Sequence, residues 1–103
     1  MSSDRPTAIL AANDLSAVGV LDAADELGLA VPADLSVVGY DNTAYSRLPR
    51  LSITTIDGHS AEVGQLAGRT LVARISGDLS SVETRLLSPA LIPRSSTGPP
   101  PAS

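Results

Sequence analysis

Ser36-Val37-Val38-Gly39-Tyr40-Asp41-Asn42 is the stretch on which the fold turns. Val37 and Val38 are β-branched and favour a pleated, buried strand. Gly39 permits a tight turn or a close backbone approach as the strand ends. Asp41 and Asn42 stand where the strand stops. A second stretch has the same shape: Ala8-Ile9-Leu10-Ala11-Ala12 runs directly into Asn13-Asp14. Each apolar run thus delivers an Asp/Asn pair at its carboxyl end. In open α/β sheets, ligands bind outside the carboxyl ends of the strands.

The segment between the two runs joins them. Thr7 to Ala12 reads as a strand covered on both faces. Asn13 or Asp14 caps a helix through about Leu27. Its apolar positions, Ala17, Val20, Leu21, Ala24, Leu27 and Gly28, follow helical spacing, with Asp22, Asp25 and Glu26 mostly opposite. Gly28 is a plausible stop and Pro32 blocks continuation. Leu35 to Tyr40 is the next strand. Strand, helix and strand in so few residues imply a βαβ unit with parallel strands, hence an α/β fold. Asn13, Asp14, Asp41 and Asn42 then share one rim by topology alone.

Downstream, Thr43 to Arg50 is polar and irregular. Ile53-Thr54-Thr55-Ile56 reads as a third strand. Asp57 to Ser60 offers caps for a second helix near Ala61 to Ser76, with Val63, Leu66, Ala67, Thr70, Leu71 and Ile75 as its buried face. Asp78 to Val82 reads as a loop. Thr84 to Ile92 reads as a last strand, broken by Pro89. Arg94 to Ser103 carries four Pro or Gly residues and reads as a disordered tail.

The 103 residues suffice for one small domain at most. Hydrophobic residues make up 43%, so a packed core is expected. Aromatics are only 2%, so that core must be aliphatic. A formal charge of −4 argues against these residues gripping phosphate backbones. The absence of Cys excludes disulfides and thiolate metal sites. No window resembles a signal peptide or a membrane span, so a soluble cytoplasmic protein is the default expectation.

From Pro6 to Thr97 the chain resembles the C-terminal half of the effector-binding domain of LacI/GalR-type bacterial transcriptional regulators. PTAILAANDLSAVGVLDAADELGLAVPADLSVVGYDN is similar to that family's strand, helix, Gly-Leu-x-Val-Pro turn and Gly-Tyr-Asp strand. ITTI resembles its Leu-Thr-Thr crossover, EVGQLAGRTLVARISG the helix that follows, and LLSPALIPRSST its closing Pro-x-Leu-x-x-Arg-x-Ser-Thr. Several motifs in the family's order are far more specific than any one alone. The resemblance implies a partial periplasmic-binding-protein-like (type I) fold over residues 1–97, leaving 98–103 as a disordered tail. It implies two α/β subdomains closing over a small-molecule effector, commonly a sugar or purine, and a homodimer. Operator DNA would be reached only through an N-terminal helix-turn-helix. That module, the hinge helix and the first half of the effector domain are not among these residues. A truncated form, a misplaced start codon and a gene fragment would each account for that. The family's crossover often carries a Gln near the ligand where this chain has Gly58.

Asp41 is the strongest ligand-binding candidate, because a carboxylate can accept two hydroxyl hydrogens at once and so suits a vicinal diol. Its bland alternative is a turn residue bonding its own backbone. Asn13 is the second candidate, offering one acceptor and two donors. Its alternative, a helix N-cap, is compatible with ligand binding if Asp14 caps instead. Asp14 reads as structural. His59 is the only His, so a metal role is improbable and a solvated surface position is expected. Arg94 reads as solvated or paired with a carboxylate, Tyr40 as wall or core, and Arg47 and Arg50 as a solvated face. No catalytic residue, cofactor or metal is expected. An enzyme would need a phosphate loop or a Ser-His-Asp set, and neither is visible. A sugar-binding protein of a transport system is the remaining alternative.

Overall fold

The structure is a computed structural model that describes residues 4–78, 80 and 83–102. In chain order it contains β1 (Ala8–Leu10), α1 (Asp14–Glu26), β2 (Ser36–Val38), a 3-10 turn (Ala44–Arg47), β3 (Thr55–Asp57), α2 (Ser60–Ile75) and β4 (Ala90–Ile92). β1 and β2 are parallel, with Ile9 opposite Val37. This is the βαβ unit expected from the sequence. On its other side β2 meets residue 54 in a parallel bridge with Val38. The Gly39 N–H donates to the Thr54 carbonyl at 2.9 Å and the Val37 N–H to the Ser96 carbonyl at 2.8 Å. β2 is therefore the central strand, which is why Val37 is fully buried.

α1 lies against β2 through the apolar spacing read from the sequence. Ala17 and Ala24 join Leu35, Val37 and Ile53 in the buried core, and Val20 and Leu21 pack around it. Leu27 is exposed, because the helix ends at Glu26 and the chain turns away at Gly28, whose φ of 70° suits a residue without Cβ.

The second half departs from the expectations in three ways. The last strand is only Ala90–Ile92, and it runs antiparallel to β3, with Ile56 opposite Leu91. Residues 84–89 form no strand. Pro89 and Pro93, which have no N–H to give to a ladder, bracket the paired stretch. The expected tail from Arg94 is bound: Ser96 Oγ accepts from the Thr54 N–H and donates to the Val37 carbonyl. Gly98 exchanges two hydrogen bonds of 3.1 Å with the Ser36 hydroxyl. Composition marks Pro and Gly as poor helix and strand formers, but it does not register the backbone groups of β2 that these residues satisfy. The loop expected at 78–82 lies partly outside the described residues, at 79, 81 and 82.

The third departure is α2. The helix forms where expected, yet none of its residues is buried. Val63, Leu71, Val72 and Ile75 are exposed, Ile75 to 76%. Periodicity identifies the face that seeks a partner but not where the partner lies. The radius of gyration is 18.7 Å, against about 13 Å for a compact chain of this length.

Candidate functional site

The carboxyl edge of the parallel strands is organised by a buried carboxylate. Asp14 opens α1 yet is fully buried. Its Oδ2 accepts from the Thr43 N–H and the Thr43 hydroxyl, both at 2.7 Å, and its Oδ1 accepts from the Thr55 hydroxyl at 2.6 Å. Burial opposes ionisation, but the hydrogen bonds from Thr55 and Thr43 outweigh it and lower the Asp14 pKa. One side chain therefore fastens the start of α1 to the loop after β2 and to β3. Gly39 is required for this closeness: a Cβ there would fall 2.3 Å from Asp14 Oδ1 and 3.1 Å from its backbone Cα.

The Asp14 N–H also donates to the Tyr40 carbonyl at 2.9 Å. Asn13 precedes one end of that bond and Asp41 follows the other, so the two candidate ligand residues stand at one edge. Asn13 is half-buried, and its Oδ1 accepts from the Ser16 N–H at 2.7 Å. It is therefore the residue that caps α1, with an extended backbone (φ −159°) suited to the role. Asp14, turned inward, does not cap in its place. The Asn13 amide nitrogen remains for other partners.

Asp41 is exposed, and its carboxylate makes no hydrogen bond among the described residues. The self-bonding turn role is thus not what its side chain does. Its backbone is unusual, with φ of 111°, and the next residue, Asn42, has φ of 51°. Two consecutive residues other than glycine at positive φ are uncommon.

Asn42 holds this turn. Its Oδ1 accepts from Arg94 Nη2 at 2.6 Å, and its Nδ2 donates to Asp57 Oδ2 at 3.3 Å. Arg94 Nη1 donates to Ser46 Oγ and to the Ile53 carbonyl, each at 3.0 Å. Arg94 is accordingly neither solvated nor paired with a carboxylate: its guanidinium fork spans three neutral acceptors from three segments. Sequence reasoning missed it because those acceptors lie more than forty positions away in the chain. The Asn after Asp41 was a usable signal, since Asn tolerates positive φ better than most residues.

Asp57 ends β3. Its Oδ1 accepts from the His59 N–H at 2.8 Å; that bond outweighs the opposing effect of burial and, with the weaker one from Asn42, lowers its pKa. His59 itself sits at φ 59° at the N-cap of α2, with its Nδ1 4.0 Å from Glu62. Tyr40 is partly exposed, and its hydroxyl lies 3.0 Å from where a Cβ on Gly58 would stand. The space near the crossover that a longer side chain would claim is thus held by Tyr40. A separate concavity of about 770 Å³ is lined by α2 residues such as Leu66 and Ala73 and, beyond the helix, by Asp78, Arg85 and Leu87 among others. None of the strand-end residues lines it. Among the described residues no cluster of His, Cys, Asp or Glu is placed to hold a metal, and no helix is long and apolar enough to cross a membrane.

Residues 1–97 match the periplasmic binding protein-like domain. The chain belongs to that family. Within this family, the chain is 41% identical over 92 residues to the HTH-type transcriptional repressor PurR of Proteus mirabilis, covering 89% of this chain and 27% of that protein. It thus spans about a quarter of the length of the curated relatives it matches. A LacI transcriptional regulator from a Rhodococcus species superposes with a TM-score of 0.87 at 40% identity, over 98% of this chain and 37% of that one. A structure of the transcriptional regulator CelR in complex with cellobiose matches with a TM-score of 0.80 at 30% identity, over 87% and 28% of the two chains. The chain is therefore similar to one part of the effector domain of LacI-type regulators. The periplasmic-binding-protein-like domain supplies the frame in which the strand-end residues sit.

Proposed function

We propose that this chain is the effector-sensing part of a LacI-type transcriptional regulator, and that Asp41 and Asn13 contact a sugar-type small molecule at the carboxyl edge of the sheet. The observation that carries this reading is the exposed Asp41 carboxylate, without a hydrogen bond in the described structure and held beside Asn42, whose backbone and side-chain polar groups are all engaged. A free carboxylate on an ordered strand end accepts hydroxyl hydrogens without first giving up an internal partner. The neighbouring Asn13 amide contributes a donor. The cellobiose complex of a similar regulator supports a sugar as the ligand class.

On this reading the regulator acts in the cytoplasm. Operator DNA is contacted by a helix-turn-helix segment of the kind named in the relatives, not by these acidic residues. Small-molecule clefts enclose about 70–90% of their ligand, and one rim supplies only part of that enclosure, so the chain alone binds weakly. Homodimerisation is part of the same proposal, and the open face of α2 supports an assembly larger than one chain. Relatives named as repressors favour a regulator over a transport protein of the same fold.

The test is an amide-resolved NMR titration of the labelled chain with free mono- and disaccharides, cellobiose among them, and with purine bases. Saturating shifts at Asn13, Tyr40 and Asp41 from a sugar are expected. Shifts confined to the concavity beside α2, or produced only by the purines, would overturn the sugar assignment at this edge. Sedimentation of the same sample reports the assembly, and a monomer at high concentration would refute the dimer.

A further inference from the structure

Resting on that reading of Asp41, we infer that Asn42, clamped between Arg94 and Asp57, is the positioning residue that fixes the Asp41 carboxylate toward its ligand. Asp41 and Asn42 occupy φ of 111° and 51° in succession. Backbones in such regions persist only where the surroundings over-determine them, and they gather at ligand clamps. The surroundings here do so almost entirely through Asn42. Its N–H donates to Thr55 Oγ1 and its carbonyl accepts from Arg47, both at 3.3 Å. Its side chain is gripped from both ends, by Arg94 at 2.6 Å and Asp57 at 3.3 Å. Asp41 contributes one backbone bond, its N–H to the Ile56 carbonyl at 2.9 Å. Every polar group of the second residue is thus committed, while the carboxylate of the first is left out of the network.

The anchors on either side of Asn42 are themselves fixed. Arg94 is tied to Ser46 and Ile53 and, through its own N–H, to Thr54 Oγ1 at 2.9 Å. Asp57 is tied to the His59 N–H, where the chain leaves β3 for α2. The clamp therefore joins three segments: the end of β3, the start of the terminal stretch and the loop after β2. Released from it, Asp41 relaxes toward an extended φ, and its carboxylate swings off the rim. Asn suits the site twice over: it tolerates positive φ, and its amide presents an acceptor to Arg94 and a donor to Asp57 at once.

Asn42→Ala and Arg94→Lys test this in the labelled full chain, with two readouts. The first is the three-bond amide–Hα coupling at Asp41, which is small at the observed φ and large for an extended residue. The second is titration with cellobiose. Both variants are expected to raise the Asp41 coupling, to leave the Val37 and Ala24 amide signals in place, and to weaken cellobiose-induced shifts at Asp41 about tenfold or more. Arg94→Lys keeps the charge and most of the stem, so it remains informative if Asn42→Ala fails to fold. An Asp41 coupling that stays small in both variants overturns the positioning role, whatever the ligand proves to be. A coupling that rises while cellobiose shifts elsewhere on the rim persist unchanged supports the clamp and removes Asp41 from the contact. Failure of the inference and failure of the functional reading are thereby separated.

Discussion

Replacing Asp14 with Asn isolates the contribution of the buried carboxylate. The side chains are nearly isosteric, so no cavity forms. Oδ1 can be kept facing the Thr55 hydroxyl, which leaves an NH2 group where Oδ2 accepts from the Thr43 N–H and hydroxyl at 2.7 Å. An amide nitrogen accepts from neither. Flipping the amide restores those two contacts and turns its NH2 toward the Thr55 hydroxyl, which can accept from it only by sending its own proton elsewhere. The best arrangement therefore turns bonds to an ionised acceptor, each contributing about 1.5–3 kcal/mol, into neutral ones of about 0.5–1.5 kcal/mol, and strands the proton of the buried Thr55 hydroxyl. The expected destabilisation is about 2–5 kcal/mol, within the ~5–15 kcal/mol that holds a small domain together. Urea denaturation followed by far-UV circular dichroism measures it as a fall in the transition midpoint at similar slope. A change under about 1 kcal/mol would show that Asp14 is not the fastening point between α1, the loop after β2 and β3.

The same carboxylate gives the chain an acid limit. Its pKa is lowered in the fold, so its contribution is present above the ordinary carboxylate value of 3.8 and is lost as pH falls through the lower folded value; acid unfolding monitored by circular dichroism should be shallower in Asp14→Asn than in the parent. Gly39→Ala should destabilise by several kcal/mol, because the added Cβ would meet Asp14 at 2.3 Å and the nearby Cα at 3.1 Å, leaving little room to yield; a thermal midpoint within a degree or two of the parent would contradict the close approach. Asp41→Ala should leave the thermal midpoint essentially unchanged, since its exposed side chain makes no described bond, while abolishing ligand-induced shifts at the rim. Unfolding of that variant, or undiminished shifts, would count against the assigned role.

The first half of the chain was readable because its signals are local. Two apolar runs, one amphipathic helix, Gly28 and Pro32 fix strand, helix, stop and strand with no distant information. The fully buried Val37 and the bonded pair of Asp14 and Tyr40 follow from that parallel arrangement. The candidate rim was readable for the same reason: parallel strands bring their carboxyl ends together whatever else the fold does. What Asn13 does there, capping Ser16, was one of two readings the residue type allowed, and only the direction of its side chain decided between them.

Sequence by itself determined the βαβ unit, the place and apolar face of α2, and the placing of Asn13 and Asp41 along one edge. Those depend on periodicity and chain topology, which reside in consecutive residues. Tertiary structure alone decided that Asp14 turns inward as a fastening, that Arg94 and Asp57 grip Asn42, and that Ser96 and Gly98 complete the edge of β2 where composition had suggested a loose tail. It also decided that the apolar face of α2 stays open. Each of these turns on which donor meets which acceptor, or which surface meets which, across separations that run from 15 to 62 residues of chain. Hydrogen bonds are short-ranged and directional, so their pairing exists only once the backbone has brought the groups within about 3 Å.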